Sequence, residues 1–130
     1  MVLYENLLFK GLRDSQQLNA LFDSGATLSC IRPDLAEKLG IPQDLPDPIL
    51  LQTAETENFM RVTQAIYLDF HLNGLRLFDT FLLVPNISEE IIIGASTMQK
   101  WRIKLDFELD RVITDPRVAR LQLIILKFYL

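Results

Sequence analysis

The residues that decide the fold are Ala20-Leu21-Phe22-Asp23-Ser24-Gly25-Ala26-Thr27. The opening side chains are apolar, which is typical of a short buried strand. Ser24-Gly25 then predicts a tight turn, so Asp23 lies where the strand ends. A carboxylate held against a rigid apolar scaffold costs free energy unless it is hydrogen-bonded or shares its charge. We therefore interpret Asp23 as a functional acid, with an ordinary turn or helix cap as the alternative.

Length and composition limit the class of protein. The 130 residues suffice for one domain with a substantial core, and we predict a single domain over residues 1–130. Hydrophobic residues make up 49% of the chain and charged residues 23%, a balance that is typical of globular proteins. The net charge of −4 argues against nucleic acid as a partner, because binding to phosphates needs a basic surface.

Few residues are available for metal, disulfide or membrane chemistry. The single cysteine, Cys30, cannot form an internal disulfide, and with one histidine, His71, it argues against a zinc site. The spacing of the five glycines suits no phosphate-binding loop, so we expect neither a metal nor a cofactor. The N-terminus does not resemble a signal peptide, and the apolar segment Leu121–Leu130 is too short to cross a bilayer. These features predict a cytoplasmic protein without a membrane span.

Hydrophobic patterning predicts a mostly β chain with short helices. Leu3–Phe9 and Leu18–Phe22 form a hairpin that delivers Asp23, with Lys10–Gln17 as its polar turn and Thr27–Ile31 continuing the sheet. Pro33–Leu39 is predicted as a helix that Gly40 ends in a left-handed conformation. An extended connector is predicted over Ile41–Pro48. Strands are predicted at Ile49–Ala54, Phe59–Phe70, Leu75–Val84 and Glu90–Ile93, with a turn at Asn73-Gly74. The chain then continues with a predicted helix at Ala95–Trp101, a hairpin of Ile103–Phe107 with Val112–Thr114, and an apolar strand or helix over 117–130.

Two motifs in this order resemble a known family. Asp23-Ser24-Gly25-Ala26 is similar to the Asp-Thr/Ser-Gly-Ala motif of aspartic proteases, in particular the small dimeric retropepsins and their cellular and bacterial relatives. Ile92-Ile93-Gly94 resembles the family's hydrophobic-hydrophobic-glycine element, which packs behind the catalytic loop. The order of predicted elements is similar over about residues 3–115. The resemblance implies an all-β acid-protease closed barrel with one or two short helices, assembled as a homodimer.

The same resemblance implies an aspartic endopeptidase that acts on peptide or protein substrates. Each copy would supply one Asp23, and the two acids would share a proton and activate a water. Ser24 would bond across the two-fold axis, while Gly25 and Ala26 let the backbone approach the acid and the substrate. Substrate-binding positions implied on the loop and on the flap hairpin are Thr27, Thr53, Ala54, Glu55, Thr56 and Glu57.

The sequence departs from the retroviral pattern at two places. Retroviral enzymes commonly pair an acid after the aspartate motif with an arginine after the glycine element, whereas Thr27 and Ala95 stand here. A dimer must therefore be stabilised differently. The predicted flap tip, Glu55–Met60, contains no glycine. The alternative function is a non-catalytic dimerisation or peptide-binding module, although such a module would not need an intact Asp23-Ser24-Gly25.

Other candidate sites have simpler interpretations. His71 precedes the Asn73-Gly74 turn and is interpreted as a solvated or partly buried side chain rather than a base. Cys30 lies in an apolar stretch and is interpreted as a core thiol. The alternating acids Asp106, Glu108 and Asp110 could bind a cation, but in a hairpin they indicate a solvated face. A membrane-tethered protease would depend on sequence outside the 130 residues.

Overall fold

The structure is a computed structural model that describes residues 2–52 and 59–118. Glu55–Asn58 of the predicted flap tip and the apolar segment from residue 119 onward lie outside the described residues, whereas Phe59 and Met60 of the flap tip are described. Within them, the elements in chain order are β1 (Val2–Lys10), β2 (Ser15–Asp23), β3 (Cys30–Ile31), α1 (Pro33–Leu39), β4 (Gln43–Gln52), β5 (Phe59–Leu72), β6 (Leu75–Leu83), β7 (Ile91–Ile93), α2 (Ala95–Trp101), β8 (Lys104–Asp106) and β9 (Arg111–Ile113).

Six strands close into a barrel in the order β1, β2, β7, β3, β6, β5. The ring closes where Leu8–Lys10 of β1 pairs antiparallel with Asp69–His71 of β5. Strand β4 lies outside the ring and pairs with β5, while β8 and β9 form a separate hairpin after α2. The prediction of an all-β closed barrel with one or two short helices is therefore confirmed, and the described residues contain two.

The predicted hairpins form, with one shift of boundary. Strands β1 and β2 pair from Val2 opposite Asp23 to Lys10 opposite Ser15, so the turn is shorter than the polar sequence indicates. Asn73 and Gly74 have φ values of 50° and 80°, as a type I′ turn between β5 and β6 requires. The first hairpin places Asp23 at the end of β2, beside the start of the chain.

Aromatic side chains fill the centre of the barrel. Phe9, Phe70 and Phe81 are fully buried, as is Phe22 on β2. Phe9 stacks on Phe70 with ring centroids 5.7 Å apart, and both rings meet Phe81 edge-on at 6.0 and 6.2 Å. Burying side chains of this size stabilises the fold by about 1.5–3 kcal/mol each. Helix α1 packs Leu35, Ala36 and Leu39 against this core.

The prediction of a left-handed Gly40 is wrong. Its φ of −168° is extended backbone that any residue can adopt, and its N–H donates to the carbonyl oxygen of Ala36 at 3.0 Å. A Cβ at this position would lie 3.2 Å from Cδ1 of Ile66 and 3.3 Å from the backbone nitrogen of Leu12. Close packing at the end of α1, rather than backbone conformation, is what favours glycine here.

Two other local predictions are wrong. Residues 41–48 were expected to form a connector, but Gln43–Gln52 is one strand whose pairing with β5 is interrupted between Asp44 and Ile49. Pro46 and Pro48 fall within that interruption of an edge strand, where their missing N–H groups break no ladder hydrogen bond. After the Asp23 turn, only Cys30–Ile31 of the predicted Thr27–Ile31 segment is strand.

Among the described residues, no helix has the length and hydropathy needed to span a membrane.

Candidate active site

Asp23 is the last residue of β2 and is half-buried. Its Oδ1 accepts the backbone N–H of Gly25 at 2.9 Å, and its carbonyl oxygen accepts the N–H of Ala26 at 3.1 Å. These two bonds hold the Ser24-Gly25 turn, and the first of them offsets part of the cost of removing the carboxylate from water. Ser24 and Gly25 are themselves exposed. The predicted turn is therefore present, with its acid fixed and accessible.

Asp23 lies on the same face of β2 as Leu21, because side chains two residues apart in a strand share a face. Leu21 is the Cα partner of Ile92 in the parallel β2–β7 pair, and Ile92 is the partner of Cys30. Cys30 is in turn the partner of Leu82 in β6, and Leu82 is the partner of Ala65 in β5. We call these aligned side chains the apolar row, which consists of Leu21, Ile92, Cys30, Leu82 and Ala65.

The apolar row lies on the outside of the barrel. Its neighbours in sequence, including Phe22, Ile91 and Ile93, are fully buried in the interior. Within the row, Ile92 and Cys30 are half-buried, and Leu21, Leu82 and Ala65 are buried. Burial raises the pKa of the Cys30 thiol to about 11. The row continues into a second hydrophobic cluster whose buried members are Val62, Ala65, Leu82 and Val84, and whose partly buried members are Cys30, Leu45, Ile49, Leu51, Met60 and Ile87.

Helix α2 holds the loop that follows Asp23, residues 23–29, which we call the Asp23 loop. The N–H of Ala95 donates to the carbonyl oxygen of Ala26 at 2.7 Å, and the N–H of Ser96 donates to that of Thr27 at 3.0 Å. The first N–H groups of a helix have no partner inside it, so the loop acts as the cap of α2. Thr27 and Ala95, the two positions that lack the retroviral ion pair, are therefore each bonded through the backbone to the neighbour of the other, Thr27 to Ser96 and Ala95 to Ala26.

The Ile92-Ile93-Gly94 motif lies directly behind the Asp23 loop, as the resemblance implies. A Cβ on Gly94 would lie 2.7 Å from the carbonyl oxygen of Leu28 and 2.8 Å from that of Ala26. Only glycine allows the loop to approach α2 this closely. The structure therefore brings together the two predicted motifs, although they are far apart in sequence.

The structure locates Thr27 and His71 but not the predicted flap positions. Thr53, Ala54, Glu55, Thr56 and Glu57 lie outside the described residues, and the hairpin of β4 and β5 leads to them. Thr27 is exposed beside the Asp23 turn. His71 lies in β5 opposite Arg76 and Leu8, outside the apolar row.

The acids of the β8–β9 hairpin have a local structural role. Asp106 accepts the N–H groups of Glu108 and Leu109 at 3.1 and 3.2 Å and so stabilises the turn. In residues 2–52 and 59–118, no group of three or more His, Cys, Asp or Glu side chains could hold a metal ion.

Ser24 also borders an open cavity of about 790 Å³ between α2 and the β8–β9 hairpin. Its wall includes Arg102, Asp115 and Arg117. Arg117 donates to Asp115 from its guanidinium and from its backbone N–H, which lowers the pKa of the Asp115 carboxyl to about 2. The cavity adjoins the turn that carries Asp23, and Asp115 in its wall is paired with Arg102 and Arg117.

Sequence reasoning missed three polar residues behind the Asp23 loop. Ser29 and Thr97 are buried and hydrogen-bonded to each other, and Thr97 also donates to Asp79 of β6. The available signal was a hydroxyl residue, Ser29, within an otherwise apolar stretch before Ile31. No spacing rule connects residues 29, 79 and 97, because their proximity depends on how three separate elements pack.

The fold and the site define a retropepsin-like aspartic protease domain. A sequence model described as aspartyl protease matches residues 9–97, and the chain belongs to this family. The structure is similar to the retroviral protease-like domain of Ddi1 from Leishmania major, with 18% identity, 89% of this chain and 90% of that chain covered, and a TM-score of 0.68. It is also similar to the EIAV protease in complex with the inhibitor HBY-793, with 18% identity, coverage of 80% and 91%, and a TM-score of 0.59. The sequence has no significant match among curated proteins.

Proposed function

We propose that this chain is an aspartic endopeptidase that cleaves extended peptides as a homodimer. The observation that carries the proposal is the position of Asp23, whose half-buried carboxylate is held by the Gly25 N–H beside the apolar row. Membership of the aspartyl protease family supports the same chemistry. The sequence contains no second Asp-Ser-Gly or Asp-Thr-Gly, so a pair of catalytic acids requires two copies of the chain.

The proposed mechanism uses one Asp23 from each copy. An isologous two-fold interface brings identical residues together at its axis, which would place the two carboxyl groups side by side. Close carboxyl groups cannot both ionise readily, so they share one proton. The ionised member takes a proton from water as the water oxygen attacks the peptide carbonyl carbon, and the protonated member donates to the carbonyl oxygen.

The surroundings of Asp23 support an extended peptide as substrate. The apolar row offers the half-buried Ile92 to side chains of the substrate next to the cleaved bond. We propose that the carbonyl oxygen of Gly25 accepts a hydrogen bond from the peptide backbone. Positions 53–57 of the hairpin would cover the bound peptide and exclude water, as lids do in other enzymes.

The proposed dimer does not depend on the retroviral ion pair. Within one chain, the bonds from Ala95 and Ser96 already fix the Asp23 loop. Ser24 is exposed next to Asp23 and can bond across the axis. We propose that the interface pairs either Leu3–Phe9 or Leu121–Leu130 between copies. Because Leu8–Lys10 of β1 already pairs with β5, only the part of Leu3–Phe9 before Leu8 has an open edge for this.

A cleavage assay combined with sedimentation tests this function. The wild-type protein is incubated with a peptide library from mildly acidic to neutral pH, with and without acetyl-pepstatin. We expect cleavage that acetyl-pepstatin inhibits, and specific activity that rises with protein concentration as the dimer forms. A stable dimer that cleaves no peptide would instead support the non-catalytic dimerisation or peptide-binding module.

A further inference from the structure

A continuous line of hydrogen bonds runs behind the Asp23 loop from the start of α2 to β6. The backbone N–H of Gly94 donates to Oγ of Ser29 at 2.9 Å. Oγ of Ser29 lies 2.5 Å from Oγ1 of Thr97, and Oγ1 of Thr97 donates to Oδ2 of Asp79 at 2.7 Å. Ser29 is 3% exposed and Thr97 is 1% exposed, so neither hydroxyl can exchange its partner for bulk water.

The donor and acceptor at each step are fixed by chemistry. A hydroxyl has one proton to donate, whereas an ionised carboxylate can only accept. Because Thr97 gives its proton to Asp79, it must accept at its own oxygen, and Ser29 must be the donor. Ser29 then accepts from Gly94. All the bonds therefore point toward Asp79, and hydrogen bonds aligned in this way strengthen one another.

Asp79 is itself held in place on β6. Its Oδ1 accepts the backbone N–H of Thr80 at 2.8 Å and lies 3.7 Å from Nζ of Lys100. Lys100 also lies 4.8 Å from the ring centroid of Phe78. The carboxylate thus has a fixed orientation, with Oδ2 directed at Thr97.

The other end of the line is part of the candidate active site. Ser29 ends the Asp23 loop, and its carbonyl oxygen accepts the N–H of Leu82 in β6. The backbone carbonyl oxygens of Ala26 and Leu28 lie so close to Gly94 that a Cβ there would have no room. Any change in how Ser29 meets Gly94 will therefore shift the loop relative to α2.

We propose that Asp79 is a positioning residue for Asp23. Asp79 accepts the hydroxyl hydrogen bond of Thr97 and so makes Thr97 accept from Ser29. This arrangement keeps the Ser29 hydroxyl free to accept the N–H of Gly94, and the contact between Ser29 and Gly94 holds the Asp23 loop on α2. The proposal rests on the proposed peptidase function, because the geometry it maintains is that of the catalytic carboxylates. Asp79 makes no contact with substrate in this account and acts only through Thr97 and Ser29.

The test compares variants that interrupt the line with variants that preserve it. Asp79→Ala removes the final acceptor and Thr97→Val removes one hydroxyl, whereas Thr97→Ser keeps the hydroxyl. Asp79→Asn keeps the volume of the side chain, but its single amide oxygen cannot serve both Thr80 and Thr97. The matched control is Asp69→Ala, since Asp69 also accepts from neighbouring side chains, those of Tyr67 and Arg76, on the same hairpin.

Two measurements separate positioning from general stabilisation. The first is amide hydrogen exchange, in which Asp79→Ala and Thr97→Val should speed exchange at Gly94, Ala95 and Ser96 by about tenfold relative to the β1–β2 hairpin. The second is peptide cleavage, in which kcat should fall about tenfold or more while KM changes little, because the substrate contacts remain. Thr97→Ser and Asp69→Ala should behave as wild type in both. If Asp79→Ala does not fold, Asp79→Asn should show the same pattern.

The outcomes distinguish this proposal from the proposed function. Faster exchange spread uniformly over the barrel, or exchange no different from Asp69→Ala, would overturn the role of Asp79. Wild-type protein that cleaves nothing would overturn the peptidase, but the exchange result would still show whether Asp79 holds the loop. An active enzyme whose kcat is unaffected by Asp79→Ala and Asp79→Asn would contradict the positioning role.

Discussion

The backbone N–H of Ala95 donates to the carbonyl oxygen of Ala26 at 2.7 Å, which makes the Asp23 loop the cap of helix α2. An ion pair between side chains can break and re-form as they move, whereas this contact belongs to the backbone of both partners. The loop and the helix are consequently one unit, even without the acid and arginine of retroviral enzymes. The close approach that permits this contact depends on the adjacent glycine, Gly94.

Gly94→Ala should therefore damage both stability and activity. The added Cβ would meet the carbonyl oxygens of Leu28 and Ala26 at 2.7 and 2.8 Å, and neither backbone group can move without shifting the loop. We expect a loss of about 1–3 kcal/mol in the free energy of unfolding. Urea denaturation measures it, with Ser96→Ala in the same helical turn as the control. Wild-type stability in Gly94→Ala would show that the loop is not packed against α2 as described.

Neighbouring isoleucines in β7 should respond differently to truncation. Ile91 is fully buried in the barrel, so Ile91→Ala should cost about 2–5 kcal/mol in the free energy of unfolding. Ile92 is half-buried in the apolar row, so Ile92→Ala should cost less and should mainly lower kcat/KM for peptides with large apolar side chains. Denaturation and a peptide panel measure the two effects. Equal destabilisation with unchanged peptide preference would show that the row does not contact substrate.

Much of the site was predictable because its signals are local. The run of isoleucines before Gly94 predicted a strand, which is β7, and α2 spans the predicted residues Ala95–Trp101. Asp23 could be located because Ser24-Gly25 follows an apolar strand directly. Two motifs in the right order then indicated the family, which is why the closed barrel could be predicted although periodicity indicates only a mostly β chain.

The parts that could not be predicted depend on tertiary packing. Pro46 and Pro48 argue against a strand, but β4 lies at an edge where their missing N–H groups break no pairing. Gly40 fits a left-handed cap by pattern, yet it is retained where Ile66 packs against it. The contact of Ser29 with Thr97 joins residues 68 positions apart, and no local pattern encodes such a separation.

Asp115 should stabilise the protein at neutral pH and not in strong acid. Hydrogen bonds from Arg117 lower the pKa of this carboxyl from 3.8 to about 2 in the folded state. A lowered pKa adds stability above the unfolded value, and that stability is lost as the pH falls through the folded value. Asp115→Asn should thus be less stable than wild type at pH 7, with the difference closing between about pH 4 and pH 2.

Thermal unfolding as a function of pH measures this difference. Arg117→Gln removes the guanidinium donors but keeps the backbone N–H at position 117, so it should change the profile in the same direction as Asp115→Asn with a smaller difference. A difference between wild type and Asp115→Asn that stays constant from neutral to acidic pH would contradict the assigned cause.

Cys30 should react slowly with iodoacetamide in the folded protein. Burial raises its pKa from 9.0 to about 11, so the thiolate population near pH 8 is about 100-fold lower than for an unperturbed thiol. Mass spectrometry of timed samples measures the alkylation rate, and the urea-unfolded protein provides the reference. Equal rates in the folded and unfolded protein would show that Cys30 is not shielded within the apolar row.

Asp23 is proposed to act as one of a pair of acids contributed by two chains, and Asp23→Asn first tests whether cleavage needs this acid. The amide is nearly isosteric and can still hydrogen-bond, so we expect a folded dimer with a melting temperature equal to or above that of wild type. Without a side chain to accept the proton of the water, cleavage should fall by at least about 10²–10⁴-fold. Sedimentation and thermal unfolding check that the variant is otherwise intact.

The most direct measurement is a titration of wild-type protein with increasing Asp23→Asn protein, monitored by peptide cleavage at constant wild-type concentration and under conditions where dimers exchange subunits. If the acids are shared across a dimer, mixed dimers carry only one of them, and activity should fall progressively toward background as the variant is added in excess. If each wild-type chain instead works alone, the added Asp23→Asn protein should leave the cleavage rate unchanged. Activity that stays constant throughout the titration, or an Asp23→Asn protein that cleaves normally, would contradict the shared dyad.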